Sequence, residues 1–456
     1  MTVSRGPSSL RNEGADVLII GAGAAGLAAA RDLSAAGRRV VVLEARVRTG
    51  GRIWTYRDPS SSVPIEFGAE FVHGKSPSLW HLAERAHLKL QETSDRHWYF
   101  EDGKLSKSQD FWKKIEKLND KMKSCEVDQS LKDFLASLAD DEETRRAKAM
   151  AIRYVEGFHA ANADRIGIHG IVKANDAADS IDGEKSFRFL NGYESLVDAL
   201  CAEADSYGAT FHLNTVVKEI LWSGDRVKAF CEDACGNSSF AAPCAIITLP
   251  LGVLQNPDKT AVVRFVPELP QPKVAAINSL ATGNVVRIVF RFRERFWETL
   301  KLRDEDNRVM KFANAAFIHY PDAPIPTWWT QLPIRAPVLV GWAGGPLADR
   351  LIDSEASGGW ILDEAIPSLA HILNVSPNKI RDQLEVPYLH DWRNDPFSRG
   401  AYSYVPVNGL AAQATLSQPI ANRLFFAGEA TSVGHIGTVH GAIESGQRAA
   451  KEVIGE

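Results

Sequence analysis

Three glycines within six residues, Gly21, Gly23 and Gly26, stand between a short apolar run, Asp16 to Ile20, and a stretch of small and charged residues at helical spacing. The first suits a tight turn, the second a close backbone approach to a pyrophosphate, and the third close packing of helix on strand. The helix that follows offers unpaired N–H groups to an anion. A second apolar run, RRVVVL, ends at Glu44, 21 residues after Gly23, where a carboxylate can accept hydrogen bonds from ribose hydroxyls. Glycines alone are a weak signal, because a glycine-rich turn also serves purely structural ends. Strand, turn, helix, strand and acid together predict a bound dinucleotide.

Gly50, Gly51 and Arg52 follow the second strand at once, a further flexible and cationic approach to a diphosphate that nicotinamide enzymes do not need. Near the other end, Glu429 lies in a glycine-rich loop after the run RLFFAG. A helix expected from about Thr438 opens with Gly441, Ala442 and Gly446, small residues that let backbone amides approach a flat ligand. A lone histidine such as His73 is more often a satisfied structural residue than a ligand.

The elements that must carry these residues read as follows. Residues 80 to 150 are charged and helical, and their charge runs are solvated faces. From Gly208 the pattern turns to strands, with a hairpin turn at Gly224-Asp225, an apolar strand in PCAIITLPLGVL, and further strands in VVRIVFRF and VLVGWAGG. Trp328 and Trp329 either line a pocket or fill a core between sheet and helices.

The chain has 456 residues, 45% hydrophobic and 24% charged, with 52 basic against 57 acidic side chains and a net charge of −5. That excludes disorder and small disulfide scaffolds, and predicts two or three domains. The absence of a basic arm argues against a nucleic-acid partner. The five cysteines form no C-x-x-C pair, so free thiols are expected and no metal site. No secretory signal or membrane span is legible, which predicts a cytoplasmic protein.

GAGAAG with Glu44, GGRIWT, the expected strand IEFGAEFVHG, TLPLGVLQ with RFVPELP, DPFSRGAYSYVP and the closing FAGEAT with GTVHGAIESG together resemble the flavin-containing amine oxidases. The wording is closest to polyamine and spermine oxidases and to the catalytic domain of lysine-specific histone demethylases. The resemblance implies an α/β fold: a Rossmann-like, glutathione-reductase-like FAD-binding domain on a parallel sheet, assembled from residues 1–90, 206–257 and 396–456. A substrate-binding domain of antiparallel or mixed sheet flanked by helices would take residues 91–205 and 258–395.

It also implies that FAD runs along Gly21, Gly23, Ala24, Ala25 and Gly26 at the pyrophosphate, Glu44 at the adenosine ribose, and Arg46, Gly51 and Arg52 at its middle. Val217 would meet the adenine, and Gly68, Ala69, Glu70 and Phe71 the flavin edge. Gly428 and Glu429 would serve the ribityl portion, and Gly437, Thr438, Val439 and Trp392 would complete the contacts. Tyr402 and Thr438 would flank the substrate as two walls of a cage, and His73 would lie near its amine. Ala401 stands where monoamine oxidases carry the cysteine that attaches the flavin, so noncovalent FAD is implied. Most relatives place a lysine beside flavin N5, and this chain has Gln255, Arg264 and Val266 at the candidate positions, with Lys259 in the loop between.

The implied reaction is hydride transfer from the amine α carbon to the flavin, imine hydrolysis to an aldehyde, and reoxidation by oxygen to give hydrogen peroxide. The implied partners are a small-molecule amine and oxygen, with the chain a monomer or homodimer. A monoamine oxidase is one alternative. An L-amino-acid oxidase would need an arginine in GAEFVHG, where Glu70 stands instead and favours an amine without a carboxylate. A flavin-dependent desaturase or a flavin-stabilised binding module are alternatives of other kinds.

Overall fold

The computed structural model describes residues 9–10, 14–101, 104–106, 111–256, 263–303, 308–354 and 360–455. Strands Thr210–His212, Val40–Leu43, Val17–Ile20, Cys244–Ile247 and Leu424–Phe426 lie in that order in a five-stranded sheet, every pair parallel. The run VLII is apolar throughout because both faces are covered. Val17 and Ile19 pack toward the helices Ala24–Ala35, Glu194–Ser206 and Val439–Ile454. Leu18 and Ile20 pack toward an antiparallel layer formed by Val216–Leu221, Val227–Asp233 and Gly236–Ala242. Helix Glu194–Ser206, in the stretch that sequence places in the substrate domain, buries Leu196, Val197 and Leu200 in this first core.

The hairpin expected after Gly208 is divided between two layers. Thr210–His212 extends the parallel sheet beside Val40–Leu43, while the next strand pairs around the Gly224 turn, where φ is +86°. IEFGAEFVHG is not one strand either. Its ends, Ile65–Glu66 and Val72–His73, join different sheets, and the middle runs against the Gly51-Arg52 loop, with the Ala69 N–H bonded to the Arg52 carbonyl at 3.2 Å.

The second half is built on a seven-stranded mixed sheet in the order Leu384–Leu389, Val285–Phe292, Val338–Gly344, Thr327–Thr330, Phe317–His319, His97–Glu101, Lys104–Ser106. Period-2 alternation sorts its side chains. Val286, Ile288, Phe290 and Phe292 pack under the helices Gly345–Asp353 and Trp360–Ile372, which leaves Arg287 on the opposite face. Trp328 and Trp329 divide in the same way: Trp328 fills the helical core and Trp329 faces the opposite cluster. Four helices, Phe111–Lys123, Leu131–Ser137, Glu142–Phe158 and Ile168–Asp179, form a further wall.

Candidate functional site

One continuous cavity of about 2390 Å³ runs from Glu44 at the parallel sheet to His319 on the mixed sheet. At its first end the glycine loop is shaped by contact. A Cβ on Gly26 would lie 2.0 Å from the Gly21 carbonyl oxygen, whereas one on Gly23 would enter open space. Gly23 bridges Gly50, and the Gly50 N–H donates to the Ala22 carbonyl at 2.8 Å, so both glycine loops border one floor. Helix Ala24–Ala35 has no side-chain cap, which leaves its first N–H groups for an anion.

Glu44 is buried beside this floor, accepting from the N–H groups of Ala22 at 2.7 Å and Arg46 at 2.8 Å, and burial pushes its pKa upward. Val217 lines the cavity nearby. Arg46 makes a two-pronged pair with Asp395, at 2.7 and 2.9 Å, and also donates to Ser398. Burial raises the Asp395 pKa, but the bonds from His390 and Arg46 outweigh it and hold the carboxyl far below its ordinary range. Asp395 and Ser398, in the DPFSRG run, thus fix Arg46, and sequence reading did not pair them.

Further along, Arg52 donates to the Ala401 carbonyl at 2.8 Å and to Glu429 at 2.9 Å. Glu429 also accepts from the Ser403 hydroxyl and the Gly437 N–H, so it ties three segments together. Gly68 lies so close to Arg52 that a Cβ would meet its carbonyl oxygen at 1.8 Å. Trp392, buried, donates to the Phe67 carbonyl at 2.9 Å and supports the 67–71 segment. The Thr438 hydroxyl caps the last helix by accepting the Gly441 N–H at 3.0 Å, and itself donates to the His435 carbonyl, so capping uses it on both counts. Gly428, Gly437 and Val439 line the same stretch.

Beyond this the cavity becomes aromatic. The Tyr402 hydroxyl donates to the Phe158 carbonyl at 2.7 Å, and burial pushes its pKa far upward. His73 stands across from Phe158, ring centroids 5.3 Å apart, with Nδ1 3.2 Å from the Ser186 hydroxyl. Burial pushes its pKa down to about 4, so the imidazole is neutral at pH 7. Trp342 closes the wall, donating to the Gly157 carbonyl at 2.8 Å.

Glu70, expected at the flavin edge, lines the cavity beside Gly68, Ala69 and Phe71 and is held by its neighbours. Its carboxylate accepts from Arg188 at 2.6 Å, Arg287 at 2.5 Å and the Trp329 indole at 3.1 Å. Burial raises its pKa, yet the two guanidinium groups override this and bring it down to about 2. An anion so engaged does not act as a free counter-charge for a substrate amine. Gln255, Arg264 and Val266, where the resemblance would put a lysine, do not line the cavity. Gln255 donates to the Ile277 and Leu280 carbonyls, and Arg264 pairs with Glu219; Lys259 lies outside the described residues. Among the described residues, Arg287 is a buried cation that lines the cavity, on the face to which the alternation within VVRIVFRF assigns it.

The pieces fit an extended dinucleotide: bare glycine backbone, a carboxylate beside it, fixed arginines along the middle and an apolar slot at the far end. Among the described residues no group of His, Cys, Asp and Glu is arranged to hold a metal ion, and no helix is long and apolar enough to cross a membrane.

A family model described as "Flavin containing amine oxidoreductase" matches residues 24–454. The chain is 30% identical to "Probable polyamine oxidase 4" of Arabidopsis thaliana, covering 99% of this chain and 89% of that one. It is 31% identical to "Polyamine oxidase 4" of Oryza sativa subsp. japonica, covering 96% and 88%. Among solved structures, a wild-type putrescine oxidase bound to putrescine superposes with a TM-score of 0.78 at 21% identity, covering 99% of this chain and all of the other, which shows a shared fold.

Proposed function

The chain belongs to the flavin-containing amine oxidoreductases and is a flavin-dependent amine oxidase, and from that premise we propose that it binds FAD noncovalently and oxidises amines of polyamine type. One observation carries the reading: a single cavity joins a dinucleotide cradle to an aromatic pocket walled by Tyr402, His73 and Trp342. The names of the relatives favour polyamines among amines. Ala401 has no atom able to bond the flavin, which supports noncovalent binding.

Glu44 would hold the adenosine ribose, the glycine loops the pyrophosphate, and Arg46 and Arg52 the middle of FAD. The bound flavin supplies an acceptor for a hydride equivalent from the amine α carbon. The chain supplies position and dryness. Tyr402 and Trp342, each anchored to a backbone carbonyl, hold the pocket's shape, and their faces favour a cationic or neutral amine. His73, kept neutral by burial, offers a hydrogen-bond partner without repelling the substrate. The resulting imine hydrolyses to an aldehyde and an amine or ammonia, and oxygen as final acceptor yields hydrogen peroxide. The site acts on a small molecule, in the cytoplasm, as a monomer or homodimer. An amino-acid substrate fits less well, because its carboxylate would have to compete with Glu70 for Arg188 or Arg287.

Anaerobic mixing of the yellow holoprotein with amines tests this reading. Spermine or spermidine is expected to bleach the flavin absorbance, with peroxide formed once air is admitted. Bleaching by monoamines or amino acids alone would move the substrate class, and none with any amine would overturn the oxidase reading. Hydride loss requires the free amine, so kcat/KM is expected to rise from pH 7 toward pH 10, and a flat profile counts against the scheme.

A further inference from the structure

The wall that carries Asp395 and Ser398 ends in a further cation. Arg399 follows Ser398 in the DPFSRG run and lines the cavity together with Pro396, Phe397 and Ser398. Its backbone is left-handed, with φ at +54°, a conformation that glycine adopts freely and that a residue with a Cβ disfavours. Nine of the described residues other than glycine have a positive φ, and of these Arg399 alone lines the cavity. The turn is fixed from both sides. The Arg399 N–H donates to the Asp395 carbonyl at 2.9 Å, and its own carbonyl oxygen lies against Gly252, where a Cβ would come within 2.2 Å. Packing thus imposes a turn that suits glycine, and the chain places a guanidinium there instead.

Charge sets Arg399 apart from the other cations around the glycine loops. Arg46 is paired with Asp395 at 2.7 Å, Arg52 with Glu429 at 2.9 Å, and the half-exposed Lys218 with Glu232 at 3.3 Å. Such pairs still donate hydrogen bonds, but each has no net charge and acts on an anion more weakly than a single ion does. Glu44 adds a carboxylate to the same floor. An extended dinucleotide brings a doubly negative diphosphate into this space, and the uncapped start of helix Ala24–Ala35 answers with only about half a positive charge. Among the described residues Arg399 has no carboxylate partner, so its charge stays unbalanced until an anion enters the cavity.

We propose that Arg399 is a further cofactor-binding residue, the free guanidinium that reaches the diphosphate of FAD and supplies the unbalanced positive charge that retains a noncovalent flavin. The proposal rests on the FAD reading of the cavity. Arg46 and Arg52, committed to carboxylates, shape the cradle, whereas Arg399 answers the charge of the ligand. A guanidinium suits the task because its planar N–H groups match two phosphate oxygens at once.

Release of FAD from the holoprotein on dilution, followed by the recovery of flavin fluorescence, tests this assignment. Arg399→Lys keeps the charge and the disfavoured backbone, Arg399→Gln keeps the backbone alone, and Arg399→Gly removes the charge while suiting the turn. Release is expected to quicken about tenfold or more in Arg399→Gln and Arg399→Gly, and to stay within about threefold of the wild type in Arg399→Lys. Raising sodium chloride from about 0.05 to about 0.5 M is expected to quicken release from the wild type and Arg399→Lys more than from Arg399→Gln, since screening acts on the charge in question. Unchanged release in Arg399→Gln or Arg399→Gly, equal release in Arg399→Lys and Arg399→Gln, or one salt dependence shared by the wild type and Arg399→Gln would each overturn the proposal while leaving the FAD reading intact. A purified protein without flavin would overturn the FAD reading, and the proposal with it.

Discussion

Glu70 and Glu66 show how neighbouring carboxylates four residues apart take opposite electrostatic fates. Glu70 meets two guanidinium groups, and its pKa falls to about 2. Glu66 is buried with neutral donors, the Thr55 hydroxyl at 2.7 Å and the Tyr193 N–H at 2.8 Å, and burial pushes its pKa up to about 7. The lowered group contributes stability that is complete above its ordinary pKa of 4.5 and is lost as pH falls toward 2. The raised group contributes stability that is complete below 4.5 and is lost as pH rises through about 7. Glu70→Gln leaves Arg188 and Arg287 underpaired in the interior, and urea unfolding is expected to show a loss of about 3 to 5 kcal/mol. Glu66→Gln removes a buried ionisation. In thermal melts its midpoint relative to wild type is expected to improve from pH 5 to pH 8, and a constant offset would contradict the buried-carboxylate account.

At the scale of elements, the first and last helices touch backbone to backbone. A Cβ on Gly446 would lie 2.1 Å from the Ala25 carbonyl oxygen, so Val439–Ile454 packs onto the opening turn of Ala24–Ala35 only because that position lacks a side chain. Gly446→Ala must separate the helices, and through them the glycine loop and the Thr438 cap, although residue 446 does not itself line the cavity. A destabilisation of about 1 to 3 kcal/mol is expected in urea. A fluorescence titration of the apoprotein should show weaker FAD binding at the same time. Unchanged flavin affinity would mean that the helix contact supports the fold without shaping the cradle. The βαβ unit and the closing strand and helix were legible in sequence because each is local and apolar at its own period. IEFGAEFVHG misled because its residues suit a strand, while Gly68 is drawn against the Arg52 carbonyl and breaks the pairing.

For the whole molecule, the cavity exists because two sheets of different construction close on each other, and FAD bound without a covalent bond would span the first of them. Acid precipitation is expected to leave the yellow colour in the supernatant; colour retained in the protein pellet would refute noncovalent attachment. The sequence alone determined the strand, glycine turn and helix that begin the parallel sheet, since Gly21, Gly23, Gly26 and Glu44 belong to one contiguous unit whose geometry follows from neighbouring residues. It also determined, through motifs in order along the chain, the family and the α/β fold class. Tertiary structure alone decided which groups meet: Arg188 reaches Glu70 across 118 positions, Arg287 across 217, His97 reaches His319 across 222, and Tyr402 reaches Phe158 across 244. Period-2 alternation tells which face of a strand a side chain takes, but not what that face will look upon. Chain closure over such separations sets that, and with it whether Glu70 is a free anion or a neutralised one.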